Sequence, residues 1–436
     1  MESPSEKKRI FWAVDETTDT PYRCSASLLA AGKHSLVYGE DGLKIPVRFA
    51  ETVAAKFDGS IYPVITRAFG NPSDLDGNSR VILLLLNIRE NASDSYTAGY
   101  FDPKDLLKSP YSNQDEILYI NYKPSGEENL YSTTAHELQH LINRCLHLSN
   151  EMDIWIDEGL ASAAEYLYSG KQDDQEGSRI WWFNKDPPKT IRRGNNFFIW
   201  DGWWENSPEP DHLGNYATVY LFFQWLRIHA DNGSKIYGDI INAKFTDYRA
   251  VTDAAAKRIP GFSGIRNDEQ GWAELLGAWY AANRLRAPGG IYGYGNKNEI
   301  TINFTWSYPE SNAAVSLYPG EGVYSGITGT FAPPLGGGTH IRYLGLGDGR
   351  VDSFPSSYKW TYLLTYNYTT NVPEKEQDAP SERGFVADMV PGMSPFSAAS
   401  GSVGMTETPE AILRRWDGGR AFLEKTRDAG RRPPAE

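Results

Sequence analysis

Tyr131 to Leu148 reads YSTTAHELQHLINRCLHL, and the fold is decided there. Leu138, Leu141, Ile142, Cys145 and Leu146 recur at helical spacing, so the pattern predicts one helix through the stretch, with Ser132 or Thr133 as its N-cap. On such a helix His136 and His140 lie one turn apart on one face, where two imidazoles can meet a single cation. Glu137 is angled just off that face. There it can take a proton from a metal-held water, the general-base part that H-E-x-x-H gives its glutamate. A helix carrying two solvated histidines would show the same letters.

A catalytic tetrahedral zinc has three protein ligands and an open fourth position, so a third donor is expected. His147 lies seven residues beyond His140, about 10 Å along a continuous helix. Zincins with a third histidine break the helix at a glycine, in H-E-x-x-H-x-x-G-x-x-H. Here Asn143 stands at the glycine position and Leu146 at the histidine. The second candidate is Glu158, within DIWIDEGLASAAEYLYSG from Asp153 to Gly170. Leu160, Ala163, Ala164 and Leu167 give that segment a helical apolar stripe, and Gly170 is a natural stop. Packed antiparallel to the first helix, it would present Glu158 to the histidines. Asp157 and Glu165 would then be at hand to orient the ligating imidazoles. For Glu158 taken alone, an exposed helix-start carboxylate favoured by the dipole is the better account.

HELQH followed by WIDEGLASAAE resembles the gluzincin clan of zinc metallopeptidases, whose third ligand is a glutamate some twenty residues on. More closely, the chain is similar to the hyicolysin family of bacterial secreted metallopeptidases. The matching stretches are FWAVD, SDLDGNSRVILLLLNI, AGYFDPKDL, EILYINY, AHELQHLI, WIDEGLASAAE and GNYATVYLFFQWL, in family order over residues 9–230, with a weaker likeness to about 370. Two departures are a slightly shorter interval between His140 and Glu158, and Asp157 where the clan commonly has asparagine. The resemblance implies a zinc endopeptidase acting on proteins or peptides, with His136, His140 and Glu158 as ligands and Glu137 as base. It also implies a tyrosine or histidine donor to the oxyanion about sixty residues beyond the glutamate ligand. Tyr216 fits that place, with His212 and Tyr220 one turn to either side. In gluzincins the substrate lies along an edge strand, for which Thr97 to Phe101 is the expected segment.

The remainder of the chain sets limits. At 436 residues it can bury a large core in two or three domains. A net charge of −13 argues against a nucleic-acid partner, and no apolar run is long enough for a membrane helix. Cys24 and Cys145 are the only cysteines, so there is no disulfide framework. Frequent Trp, Tyr, Gly and Asn suggest a secreted, periplasmic or cell-surface protein. MESPSEKKR has no apolar h-region after its charges, so no signal peptide is expected in this sequence.

The expected architecture is α+β: a zincin-like core of mixed sheet and helical parts, then a small all-β module. Residues 1–130 hold strands RIFWAV, YRCSASLL, HSLVYG, RVILLLLNI and EILYINY, with helix from Pro46 to Phe69 interrupted near Gly59. Asp74, Asp76 and Asn78 resemble the opening of a calcium loop. Ser79 replaces its sharp-turn glycine and Leu85 its twelfth-position glutamate; a D-G-N turn explains the same letters. Residues 131–287 are mainly helical. Trp181, Trp182, Phe183, Phe197, Phe198, Trp200, Trp203 and Trp204 either wall a cleft or fill a core. Residues 288–371 read as short strands, in EITINFTWSY, GITGTF, THIRYLGL and TYLLTYNY, that bind substrate or a cell surface or cap the core. Residues 372–436 read as mostly flexible, with short helices between Pro409 and Arg427. The competing class is a non-catalytic surface protein that keeps a structural zinc and binds through the β module.

Overall fold

The computed structural model describes residues 8–18, 20–90, 97–122, 127–172, 174–175, 178–185, 197, 212–295 and 300–302, and the backbone of six short strands between 315 and 387. Two compact units result. One is Met1–Glu151 with Leu160–Lys171, and the other is Met152–Gly159 with Gln172–Thr406.

The first unit is built on a six-stranded sheet of order β1-β2-β3-β4-β6-β5. Its strands are β1 (Lys8–Asp15), β2 (Thr20–Ala31), β3 (Ser35–Glu40), β4 (Val81–Leu86), β5 (Gly99–Tyr100) and β6 (Ile117–Asn121). β4 is VILLLL and wholly buried, a run that suits a central strand covered on both faces. It pairs in parallel with β3 and β6, while β1, β2 and β5 are antiparallel to their neighbours. Ile82, Leu84 and Leu86 join Phe11, Ala26 and Tyr119 in one apolar cluster, so alternation sends Val81, Leu83 and Leu85 to the opposite face. Helices α1 (Val47–Lys56) and α3 (Glu127–Leu146) pack on the sheet, and α2 (Tyr62–Phe69) packs on α3.

Two expectations need correction. The interruption near Gly59 is a π turn, Phe57–Ile61, that joins α1 to α2 without leaving the helical region. Asp58 explains the distortion: its carboxylate accepts from the backbone N–H groups of Lys33 and His34 and from Ser35 Oγ, holding the turn before β3. α3 also begins at Glu127, so Ser132 and Thr133 lie inside the helix.

β5 is the sheet edge, within the segment expected to meet substrate. A Cβ at Gly99 would fall 2.8 Å from Thr133 Cγ2 and from the Tyr119 carbonyl oxygen, so glycine lets the edge strand approach α3 closely. Tyr100 stacks on Tyr119 with centroids 4.3 Å apart, and the Tyr119 hydroxyl donates to Asp105 Oδ2 at 2.5 Å.

The second unit is helical through its described core: Arg179–Lys185, His212–His229, Ile236–Ile241, Tyr248–Arg258 and Glu269–Leu285. Trp182, Phe183 and Phe197 are buried, so this part of the aromatic cluster is core; Phe198, Trp200, Trp203 and Trp204 lie outside the described residues. Beyond them, four short strands form one antiparallel sheet and two more form a pair. Gly322–Gly326 ends at the first residue of the expected GITGTF strand, whereas Ile341–Gly347 and Trp360–Thr365 overlap most of THIRYLGL and the first half of TYLLTYNY, each passing it by one residue. Of the expected strand EITINFTWSY over 299–308 only 300–302 are described, and they are not in a strand; the helices expected in 409–427 are outside the described residues. So is the expected flexible tail, except Phe385–Ala387. Cys24 and Cys145 are both free thiols. Among the described residues no helix is long and apolar enough to cross a membrane.

Candidate metal centre

α3 is buried almost continuously from Leu130 to Asn143, which is why apolar and functional side chains alternate along it. Leu138, Leu141 and Ile142 are fully enclosed, while His136, Glu137 and His140 occupy the intervening directions and are themselves buried. The His136 and His140 rings have centroids 4.7 Å apart, with planes at 73°. One turn of helix brings them together.

Glu158 comes from α4 (Ile154–Ser169), which Gly170 ends in the left-handed conformation at φ 64. Two neighbours in sequence fix its position. Trp155, one turn earlier, is fully buried against Phe197 and Trp272, each at 5.5 Å between centroids. Gly159, the next residue, faces the Phe223 ring so closely that a Cβ would lie 2.3 Å from it. The helix start is therefore seated by aromatic packing, with Glu158 wholly buried.

His136, His140 and Glu158 each offer a donor atom, all within 4.8 Å of one another, and form a group able to hold a metal ion. Nδ1 of His136 lies 2.8 Å from Glu165 Oε1, which leaves Nε2 as that ring's donor. Two imidazoles and a carboxylate, all buried, suit zinc better than calcium or magnesium, which favour oxygen donors alone. Asp157 is half-buried in the first turn of α4. His147 follows the last turn of α3, with its backbone N–H on Asn143 O at 3.0 Å, and is not part of the group. Tyr216 and Tyr220 are buried on the His212–His229 helix, where the Tyr220 hydroxyl donates to Gln172 Oε1 at 3.1 Å.

The calcium reading of Asp74, Asp76 and Asn78 is not supported, because their side chains are engaged within the turn. Asp74 accepts from Ser79 N at 2.9 Å and Ser79 Oγ at 3.1 Å, and Asn78 Oδ1 accepts from Arg80 N at 2.6 Å. The Asn78 side chain turns its amide nitrogen, a donor, towards Asp76. These oxygens close a turn, as the D-G-N reading requires. Sequence reasoning also missed the two residues that seat Glu158. A glycine inside an otherwise apolar helix, as in W-I-D-E-G-L, was the available signal.

No family model matches the chain. Over 266 residues it is 34% identical to the neutral metalloprotease ShpI of Staphylococcus hyicus, an alignment that covers 58% of this chain and 58% of that protein. The chain thus spans little more than half the length of that relative. The likeness supports a place among the metallopeptidases, and His136, His140 and Glu158 are a donor set of the kind a metallopeptidase requires.

Proposed function

We propose that the chain is a zinc endopeptidase of the gluzincin type, within the hyicolysin family, acting on proteins or peptides. The observation that carries this reading is the buried approach of His136, His140 and Glu158, with Glu137 on the same turn of α3. Zinc held there would supply a Lewis acid that polarises the scissile carbonyl and brings the pKa of a coordinated water to about 7. Glu137 accepts a proton from the attacking water and passes it to the leaving amine. Glu165 fixes the tautomer and orientation of His136, and Asp157 is assigned a like supporting part. Tyr216 donates a hydrogen bond to the oxyanion. Substrate backbone extends the sheet at β5.

A buried Glu137 favours catalysis over a purely structural zinc, because a structural site takes four protein ligands and needs no base. Casein digestion by zinc-loaded protein, its loss under a chelator and its return with zinc are the expected results. Fully zinc-loaded protein that leaves casein and peptides intact would make the chain a zinc-bearing binding protein instead. End-group analysis of the products separates cleavage at internal bonds from trimming at chain ends. An extracellular setting belongs to the same proposal and is checked by fractionating the native host.

A further inference from the structure

One face of α4 carries three polar side chains in a line. Glu158, Ser162 and Glu165 stand at i, i+4 and i+7, the spacing that keeps residues on one stripe of a helix. Glu158 offers a donor to the metal group, and Glu165 Oε1 lies 2.8 Å from His136 Nδ1, so both ends of the stripe meet that centre. Ser162 stands between them and is wholly buried.

The hydroxyl sets Ser162 apart from an ordinary helical serine. Its Oγ is enclosed and has no hydrogen-bond partner among the described residues. A serine or threonine inside a helix turns to solvent or to the carbonyl one turn back. Thr134 Oγ1 does so with Leu130 O and Thr252 Oγ1 with Tyr248 O, each at 2.7 Å. Ser162 does neither. Ala161, Ala163 and Ala164 around it are fully buried too, so alanine would meet the needs of packing there. A buried hydroxyl that makes no hydrogen bond weakens a fold, yet this position carries one.

We infer that Ser162 is a positioning residue of the metal centre: its hydroxyl donates to the Glu158 carboxylate oxygen that the ion leaves uncoordinated, and so holds that ligand to one oxygen. This rests on the proposed ligand set of His136, His140 and Glu158. Helix geometry sets the two side chains side by side, with Cβ atoms about 5–6 Å apart one turn along. A carboxylate accepts through two oxygens, so one can meet the ion and the other the hydroxyl. Held through one oxygen, Glu158 leaves the ion's fourth position open; held through both, it would crowd that position. The stripe then supports the centre twice, through Ser162 on the carboxylate and Glu165 on the imidazole.

The test compares the parent with Ser162→Ala, both as full chains, metal-free and loaded. Metal-free Ser162→Ala should melt at or above the parent, because the change removes a buried group that has no partner. With zinc, competition against a chromophoric chelator should show retention weakened by about ten- to a hundred-fold. Cobalt loaded in place of zinc reads the coordination itself. The parent should give the strong visible absorption of a four-coordinate ion, and Ser162→Ala the weaker bands of a five-coordinate one, as Glu158 closes on the ion with both oxygens. Equal zinc retention, an unchanged cobalt spectrum, or a loss of retention matched by an equal fall in metal-free stability would overturn the role. Parent protein that takes up no zinc at all would remove the ligand set, and the role with it.

Discussion

Glu165 Oε1 lies 2.8 Å from His136 Nδ1, a contact between the far half of α4 and the middle of α3. The same helix therefore carries Glu158 at its start and, two turns on, the carboxylate behind one imidazole. Glu165→Gln should weaken zinc retention by about ten- to a hundred-fold, the usual cost of losing an outer partner. Competition with a chelator measures it. Unchanged retention would remove Glu165 from the site.

Glu137→Gln should keep zinc and the fold while kcat falls by about 10²- to 10⁴-fold, the range for a general base. Metal analysis beside casein turnover checks both halves. Full turnover by the variant would end the proposed role.

Glu158→Ala removes one of three donors. Zinc should then leave at chelator concentrations the parent withstands, with a matching drop in melting temperature in the presence of zinc. Equal affinity in parent and variant would place the third ligand elsewhere.

Gly159→Ala tests the seating of that ligand. The added methyl meets the Phe223 ring, so a loss of about 1–3 kcal/mol by urea unfolding is expected, together with weaker zinc retention. A variant as stable as the parent would show that the ring yields freely.

Asp105 gives the chain a pH dependence unrelated to the metal. It is 1% exposed, and burial, then the charge of Asp102, push its carboxyl up to about 8. In the unfolded chain the group titrates near 4. Between these limits the folded state holds a proton that the unfolded state has lost. Its stabilising contribution is complete below about pH 4 and declines as pH rises to about 8, at about 1.4 kcal/mol per pH unit for one group. Asp105→Asn should flatten that slope in urea unfolding across the range. An unaltered slope would assign it to other groups.

The sequence by itself determined much of the local structure. RVILLLLNI read as a strand and holds one, the four-residue step between His136 and His140 put two rings on one helical turn, and Gly170 ended α4 as its position suggested. These features depend on periodicity and on backbone freedom, which a short stretch contains in full. Tertiary structure decided which acids converge. Asp74, Asp76 and Asn78 share one loop and read as a cage, yet all three are engaged in closing the turn, and Asp76 also comes near Asp115 and Glu116 from some forty residues on. Glu158 reaches the histidines because Trp155 and Gly159 are gripped by rings from distant helices. Convergence of donors is set by burial among residues far apart in the chain, and no local pattern encodes that distance.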